Sequence, residues 1–174
     1  EIKPGELVFV DQFIDRTRGI RNSTFFDDGI VAHVGFADPI CQTLSTVLCE
    51  SARALDIPHH RGGTYVCMEG PQFSTLAESN FHRSCGFDVI VMTNLQEARL
   101  AREAELHYAT VAMATDYDCW HDGHDAVTVD AVIAVLRANV RLAQDIIRAA
   151  VPLIDAHAGP SPAADAMENA IMTA

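Results

Sequence analysis

The amino-acid sequence predicts an α/β domain with a mixed, mostly parallel central sheet flanked by helices. Strand-like apolar runs alternate with amphipathic helical segments, which is the pattern of strands joined by crossover helices. Glycine and proline residues separate many of these segments. With 174 residues, of which 49% are hydrophobic and 21% charged, the chain can form one domain with a sizeable core.

The first half of the chain contains three predicted extended segments and one helix. The predicted elements are a strand over 7–13, a polar loop over 15–28, an extended segment over 30–36, a helix from Pro39 to about Leu55 and a strand over 63–69. Proline is favoured in the first turn of a helix, and apolar residues follow it at near-helical spacing. His59 and His60 come after Pro58 and are interpreted as a solvated turn.

The second half continues the alternation. Ser74 or Thr75 can cap the amino end of a helix, with Glu78 near the reciprocal position of a capping box and Gly86 at its end. Further predicted elements are a strand over 88–93, a helix over 95–105, a strand over 107–113 and a long helix over about 128–151. That helix carries one apolar face, formed by Val129, Val132, Ile133, Leu136, Val140, Ala143 and Ile147. We assign residues 1–154 to one domain, 155–164 to a linker and 165–174 to a terminal helix of the same domain.

Charge and composition exclude several classes of function. A formal net charge of −12 argues against a nucleic-acid partner, because phosphate neutralisation requires clustered basic residues. No apolar run approaches the roughly 20 residues of a membrane span, and the polar start predicts no signal peptide. Five cysteines without a CxxC pair or zinc spacing are typical of reduced core thiols in a cytoplasmic protein.

Polar and aromatic side chains follow three of the predicted strands. Phe73 comes after the strand over 63–69, Met92 and Thr93 end the next strand, and Asp116 and Asp118 follow the third. Because the carboxyl ends of parallel strands meet at one edge of a sheet, we expect these side chains to converge. Their combination suits a flat, hydrogen-bonding heterocycle better than a metal, with an anion near Thr93 and the helix amides behind it.

Each of these residues also has a purely structural interpretation. Phe73 and Met92 are more often core residues than pocket residues, and Thr93 is also a plausible helix cap. Two carboxylates so close together cap helices or need a partner, which is an amine-bearing substrate, an arginine or a metal ion. No metal is predicted, because no metal-ligand spacing fits the downstream cluster of His121, Asp122, His124 and Asp125. The common dinucleotide, NTPase, hydrolase and metalloprotease motifs are not in the sequence.

An ordered set of motifs resembles the methylthioadenosine phosphorylases of the trimeric purine nucleoside phosphorylase family. The resemblance spans essentially the whole chain and is carried by VDQFIDR over 10–16, MEGPQFS over 68–74, AES over 77–79, Asn94 with Glu97, and AMATDYDCW over 112–120. It implies a phosphorylase/hydrolase-like α/β fold. Counterparts of the family's amino-terminal third and extreme carboxy terminus are expected to be missing from this chain.

The resemblance also implies roles for individual residues. Phe73 would stack on a purine, Met92 would pack under the ribose and Thr93 would contact phosphate. Asp116 would bond the N7 side of the purine, and Asp118 its 6-amino group. The methylthio pocket would be lined by three residues of the long helix, and His33 would reach into the pocket of a neighbouring subunit. The three helix residues are Val129, Val132 and Ile133.

These roles imply phosphorolysis of 5′-methylthioadenosine to adenine and 5-methylthioribose 1-phosphate by a cytoplasmic homotrimer. Inorganic phosphate would be the co-substrate, with no metal and no organic cofactor. Relatives that prefer 6-oxopurines carry Glu and Asn where this chain has Ser74 and Asp116, so a 6-aminopurine is favoured. The alternatives are a 6-oxopurine nucleoside phosphorylase of the methylthioinosine type and a catalytically incomplete chain that only binds purine.

Overall fold

Strands and helices alternate along the chain, as the sequence predicts. A computed structural model describes residues 1–121, 129–154, 156 and 161–173, without the side chains of residues 131 and 132. The elements are β1 (Leu7–Phe9), β2 (Gln12–Arg16), α1 (Gln42–Ala54), β3 (His59–Arg61), β4 (Thr64–Met68), α2 (Leu76–Ser84), β5 (Val89–Val91), α3 (Leu95–Glu103), β6 (Ala112–Met113), a 3₁₀ helix (Asp118–Trp120) and α4 (Val129–Ile154).

The strands form two three-stranded sheets, in the orders β3–β1–β6 and β2–β4–β5, which continue one long parallel ribbon across a break. Strand β1 pairs with β3, and β2 pairs with β4, with Leu7 opposite His59 and Gln12 opposite Thr64, so the register is unchanged across the break. At the break, the amide of Gly63 donates to the Asp11 carboxylate over 3.2 Å. Strand β5 extends one half of the ribbon in parallel, and β6 extends the other half antiparallel. The first sheet is therefore mixed and the second parallel, so that three of these four strand pairings are parallel.

Four sequence predictions differ from the structure in and around these sheets. The strand predicted over 7–13 is two strands, and the strand predicted over 107–113 is reduced to Ala112–Met113. His59 and His60 form β3 and do not lie in a solvated turn; both are only partly exposed. The segment over 30–36 contributes a single bridge, between Ala32 and Ile171.

Side-chain alternation along β1 divides the core into two layers. Leu7 and Phe9 pack with α1 and with Ile146 of α4. Val8 and Val10 face the opposite way and pack with Tyr65, Cys67, Leu95 and Ala112. Because successive residues of a strand point to opposite faces, these two core layers follow directly from the unbroken apolar run at residues 7–10.

Helix α2 begins as predicted, with a complete capping box. The Thr75 side chain accepts a hydrogen bond from the amide of Glu78 over 3.3 Å, and the Glu78 carboxylate accepts one from the Thr75 amide over 2.8 Å. The helix ends at Ser84, and Gly86 follows the cap residue with φ +72°. A left-handed conformation favours glycine at this position.

Helix α4 packs on the sheet through residues other than those of its predicted apolar face. Asn139, Ile146 and Ala150 are buried, and α4 contacts α1 along this side. Val129 is 64% exposed and Ile147 50% exposed. Both sides of the helix are apolar enough for burial, so periodicity alone does not identify the one that faces this core.

The carboxy-terminal segment differs from its prediction. Residues 162–170 form successive turns where a terminal helix is predicted, and most of the predicted linker over 155–164 lies outside the described residues. All five cysteines are free; three are buried, but Cys85 and Cys119 are exposed and are not core thiols. No helix within the described ranges combines the length and the apolar character needed to cross a bilayer.

Candidate functional site

The three predicted strand ends line one open cleft. Its volume is about 1410 Å³, and its walls include Phe73, Met92, Thr93, Asp116 and Asp118. They do not meet at the edge of a purely parallel sheet, because β6 runs antiparallel to β1. The cleft is large enough for a nucleoside-sized ligand.

The segment that leads from β6 to the carboxylates is fixed by hydrogen bonds. The carbonyl oxygen of Ala114 accepts a hydrogen bond from the amide of Gly5 over 2.8 Å. The same oxygen accepts another from the buried side-chain amide of Asn139 over 3.1 Å. Asn139 therefore links α4 to the end of β6, after which the chain enters the loop that carries Asp116 and Asp118, here called the acidic loop. The helical pattern of the sequence gives no signal for this contact.

The Asp116 carboxylate is linked to Asp118 through the backbone amide of Asp118. Asp116 accepts one hydrogen bond from the Thr115 hydroxyl over 2.7 Å and another from the Asp118 amide over 2.8 Å. Asp116 is exposed, whereas Asp118 is partly buried and has φ +59°. In the described part of the chain neither forms an ion pair, so the arginine partner considered from sequence is not observed. Asp116 instead acts locally, holding the start of the 3₁₀ helix.

Phe73 lies on the surface of the cleft and not in the core. Its side chain is 54% exposed, so the core interpretation is wrong for this residue. The loop that carries it passes over Met92, where Gly70 has φ +71° and an added Cβ would lie 2.5 Å from the Met92 sulfur. Glycine is required there both for the backbone conformation and for the close approach.

Thr93 precedes α3 but does not cap it, because the cap residue is Asn94. The Thr93 side chain is left exposed in the cleft, and its carbonyl oxygen accepts hydrogen bonds from the Tyr65 hydroxyl over 3.0 Å and from the Cys67 thiol over 3.2 Å. Burial raises the pKa of Tyr65 well above its ordinary value. That hydroxyl therefore stays protonated and acts as a permanent donor beneath Thr93.

A second network fixes the backbone at Asn94, which has φ +89°. Its amide donates to the Glu97 carboxylate over 2.8 Å, and its side chain exchanges hydrogen bonds with Thr110. The hydroxyl of Tyr108 also donates to the Asn94 side chain. Burial raises the pKa of Tyr108 to about 12. Thr93 thus lies between two sets of fixed hydrogen bonds.

Arg21 ties Glu69, at the end of β4, to Met92, which follows β5 and lines the cleft, and the sequence gives no signal for this contact. Its Nε lies 3.2 Å from a Glu69 carboxylate oxygen, and its Nη2 donates to the Glu69 carbonyl over 2.8 Å. Arg21 also donates to the carbonyl oxygen of Met92. Sequence shows a loop with several arginines, but it does not indicate which one reaches a strand end 48 residues away.

Three other predicted site residues, His33, Val129 and Ile133, are described and are not among the residues that line this cleft. His33 is exposed, and its amide donates to the Ala170 carbonyl over 2.8 Å. Val129 and Ile133 are exposed at the start of α4; among the described side chains of that helix, Leu136 is the one that reaches the cleft. The side chain of Val132 lies outside the described residues, as do Asp122, His124 and Asp125 of the cluster considered for a metal. Among described residues no group of three or more His, Cys, Asp or Glu side chains is arranged to hold a metal ion.

Known proteins of similar sequence come from several bacteria. An S-methyl-5′-thioadenosine phosphorylase from Geobacter sulfurreducens is 56% identical over 173 residues, which cover 99% of this chain and 60% of that protein. One from Thermosynechococcus vestitus is 58% identical over 175 residues, with the same coverage of 99% and 60%. The chain therefore spans about 60% of the length of these relatives.

Solved structures superpose closely on the fold. A methylthioadenosine phosphorylase from an antarctic soil metagenomic library has a TM-score of 0.90 at 47% identity, covering 99% of this chain and 61% of that one. A mutant adenosine/methylthioadenosine phosphorylase from Schistosoma mansoni, in complex with adenine, has a TM-score of 0.84 at 35% identity, covering 89% and 61%.

The match to a known family is as extensive as the structural match. The sequence profile described as the phosphorylase superfamily matches residues 1–152, which include every strand and nearly all of α4. The motifs that carry the resemblance all lie within this range. The chain belongs to the phosphorylase superfamily.

Proposed function

We propose that this chain carries the base and sugar side of a site for phosphorolysis of 5′-methylthioadenosine, giving adenine and 5-methylthioribose 1-phosphate. The main observation in support of this proposal is that an aromatic ring, a thioether, a hydroxyl and two carboxylates line one cleft. The relatives named above, at 56% and 58% identity, support the same pentosyltransferase reaction. The proposed roles follow the chemistry of the five side chains.

The base lies between Phe73 and the acidic loop in this proposal. The exposed ring of Phe73 stacks on the purine, and Asp118 accepts a hydrogen bond from the 6-amino group. Breaking the bond between N9 and the ribose leaves negative charge on the purine. Asp116, in its protonated form, delivers a proton to N7 and stabilises the leaving group. The hydrogen bond between Asp116 and the Asp118 amide supports a shared orientation of the two groups.

The sugar and phosphate lie towards β5 and α3. Met92 packs under the ribose, and Thr93 donates to phosphate near the positive end of α3. Phosphate attacks the anomeric carbon as the bond to N9 breaks, and its charge stabilises the developing oxocarbenium character. The reaction as proposed uses no metal and no organic cofactor, since phosphate is itself the nucleophile.

The remaining roles concern the 5′ end of the substrate and the assembly. Val129, Val132 and Ile133 form the methylthio pocket, and His33 reaches into the pocket of a neighbouring subunit of a homotrimer in the cytoplasm. The exposure of His33, Val129 and Ile133 supports this arrangement, since a single chain leaves them uncovered.

Adenine release from 5′-methylthioadenosine, measured with and without inorganic phosphate, tests the proposal. We expect release that depends on phosphate and yields a sugar 1-phosphate detectable by phosphorus NMR. Equal release without phosphate would indicate a hydrolase and contradict the proposal.

A second candidate is that the chain binds purine without turning it over. The exposure of Phe73, Thr93 and Asp116 favours it, because an open cleft excludes water poorly from the reacting atoms. Calorimetric titration with adenine distinguishes the two candidate functions. Tight binding that phosphate enhances supports the enzyme, and an adenine affinity that does not change with phosphate supports the purine-binding chain.

A further inference from the structure

Helix α2 touches the 3₁₀ helix after the acidic loop at two points. Near its start, the thiol of Cys119 donates to the carbonyl oxygen of Ser74 over 3.5 Å. In its last turn, the guanidinium carbon of Arg83 lies 3.5 Å from the centroid of the Trp120 ring. We propose that Arg83 is a positioning residue. Through Trp120, it sets the separation between the acidic loop, which carries Asp116 and Asp118, and the loop that carries Phe73. The inference rests on the proposed function, because it concerns the base site.

One arm of this connection is rigid helix α2. The helix begins three residues after Phe73, and its capping box fixes the first turn through Thr75 and Glu78. Its nine residues then carry Arg83 to a set distance from the Phe73 loop. Movement of Arg83 relative to Phe73 therefore requires α2 to fray or to shift as a whole.

The other arm is the 3₁₀ helix. Trp120 lies two residues after Asp118, whose amide is bonded to the Asp116 carboxylate over 2.8 Å. The Tyr117 ring packs edge-on against Trp120 at a centroid distance of 6.0 Å. A displacement of the Trp120 ring is thus transmitted to both carboxylates through a short, hydrogen-bonded segment.

The contact between the two arms has the chemistry of a cation–π pair. A guanidinium is planar and covers the face of an indole ring, whereas an ammonium interacts as a point charge. Arg83 is itself exposed, so its contribution to the core is small and its main contact is the Trp120 face. This separation of roles makes the proposal testable without unfolding the chain.

Trp120 is the single tryptophan of the chain, so intrinsic fluorescence reports this contact directly. The variants are Arg83→Met, which keeps the aliphatic stem, and Arg83→Lys, which keeps the charge. Arg53→Met is the matched control, because Arg53 is the exposed basic residue in the last turn of α1. Acrylamide quenching of Trp120 and calorimetric titration with adenine are measured for each 174-residue variant, with circular dichroism as a check of folding.

For Arg83→Met we expect stronger acrylamide quenching and adenine binding weakened by about two- to fivefold, the range typical of one cation–π contact. Arg83→Lys is expected to be intermediate, and Arg53→Met unchanged in both measurements. If Arg83→Met does not fold, Arg83→Lys decides by the same two measurements.

Three results would overturn the positioning role. Unchanged adenine affinity in Arg83→Met would show that Arg83 has no positioning role and would leave the proposed function intact. Weaker binding with unchanged quenching, or an equal loss in Arg53→Met, would also rule out the positioning role, since the effect would not pass through Trp120. Failure of the unaltered chain to bind adenine would overturn the proposed function together with this inference.

Discussion

Arg21 holds both the side chain and the backbone carbonyl of Glu69, and so ties the end of β4 to the end of β5. The ion pair is largely buried, with the two side chains 26% and 12% exposed, and the third contact of Arg21 is the carbonyl oxygen of Met92. Glu69 opens the loop that carries Phe73, and Met92 precedes Thr93. One guanidinium therefore fixes the relative position of the proposed base, ribose and phosphate contacts.

Replacing Arg21 by Met should destabilise the fold more than the loss of a surface ion pair. The change leaves the largely buried Glu69 carboxylate without its cation, and we expect a loss of about 1–3 kcal/mol in the free energy of unfolding. Urea unfolding followed by circular dichroism gives this value. The free energy of unfolding of Arg21→Lys should lie between those of the unaltered chain and Arg21→Met, because a point charge cannot make all three contacts.

The control for this prediction is Arg99→Met. Arg99 pairs with Asp15 over 2.8 Å, but its side chain is 34% exposed and that of Asp15 is 30% exposed. An ion pair of this exposure contributes less than about 1 kcal/mol. Equal losses for the two variants would contradict a special role of Arg21.

Gly70→Ala should disturb Met92 in addition to the local backbone. An added Cβ lies 2.5 Å from the Met92 sulfur, and φ is +71°. Gly19→Ala is a close control, since Gly19 has φ +73° with nothing within 4 Å of an added Cβ. Both variants carry the backbone cost of about 1 kcal/mol, and we expect Gly70→Ala to lose about 1–3 kcal/mol more. Combining Gly70→Ala with Met92→Ala tests the cause, because removing the thioether should recover part of that difference in urea unfolding.

Local features of this fold could be predicted from sequence because their signals are local. The capping box of Thr75 and Glu78 lies within four residues. An apolar run followed by polar residues indicates each of the strand ends near Met92 and Asp116. Both kinds of signal can be recognised without knowing which segments of the chain become neighbours in the fold.

Features that depend on distant partners could not be predicted in this way. Strand β3 contains two histidines and an arginine, and it is a strand because β1 provides hydrogen bonds from 52 positions away. The contact of Arg21 with Glu69 spans 48 positions. The face of α4 that is buried is decided by α1 and by the Ala114 carbonyl bonded to Asn139, since the helix offers two apolar sides.

The capping box predicts a pH-dependent contribution of Glu78. Hydrogen bonds from the amide and then the hydroxyl of Thr75 hold the pKa of Glu78 below its ordinary value of 4.5. A carboxyl group with a lowered folded pKa stabilises the fold above its unfolded pKa, and this contribution is lost as the pH falls through the folded pKa. The stability difference between Glu78→Gln and the unaltered chain should therefore be present at pH 7 and shrink below pH 4.5, as measured by urea unfolding. Glu168→Gln, at an exposed turn, is the control, and a difference that stays constant with pH would contradict the prediction.

Asp116→Asn should shift substrate preference from 6-amino towards 6-oxo purine nucleosides. In the proposed role Asp116 uses its proton for N7, so its remaining oxygen can only accept a hydrogen bond and repels a 6-oxo oxygen, whereas the two N–H groups of an Asn amide can donate to both N7 and the 6-oxo oxygen. Asn can still accept the Asp118 amide, which now bonds to Asp116 over 2.8 Å, so the loop should keep its conformation. We expect the ratio of kcat/KM for methylthioadenosine over methylthioinosine to fall by about tenfold or more, as for one mispaired polar contact. Asp56→Asn removes the same charge at an exposed residue after α1 and should leave the ratio unchanged. An unchanged ratio in Asp116→Asn would show that Asp116 does not read the purine edge.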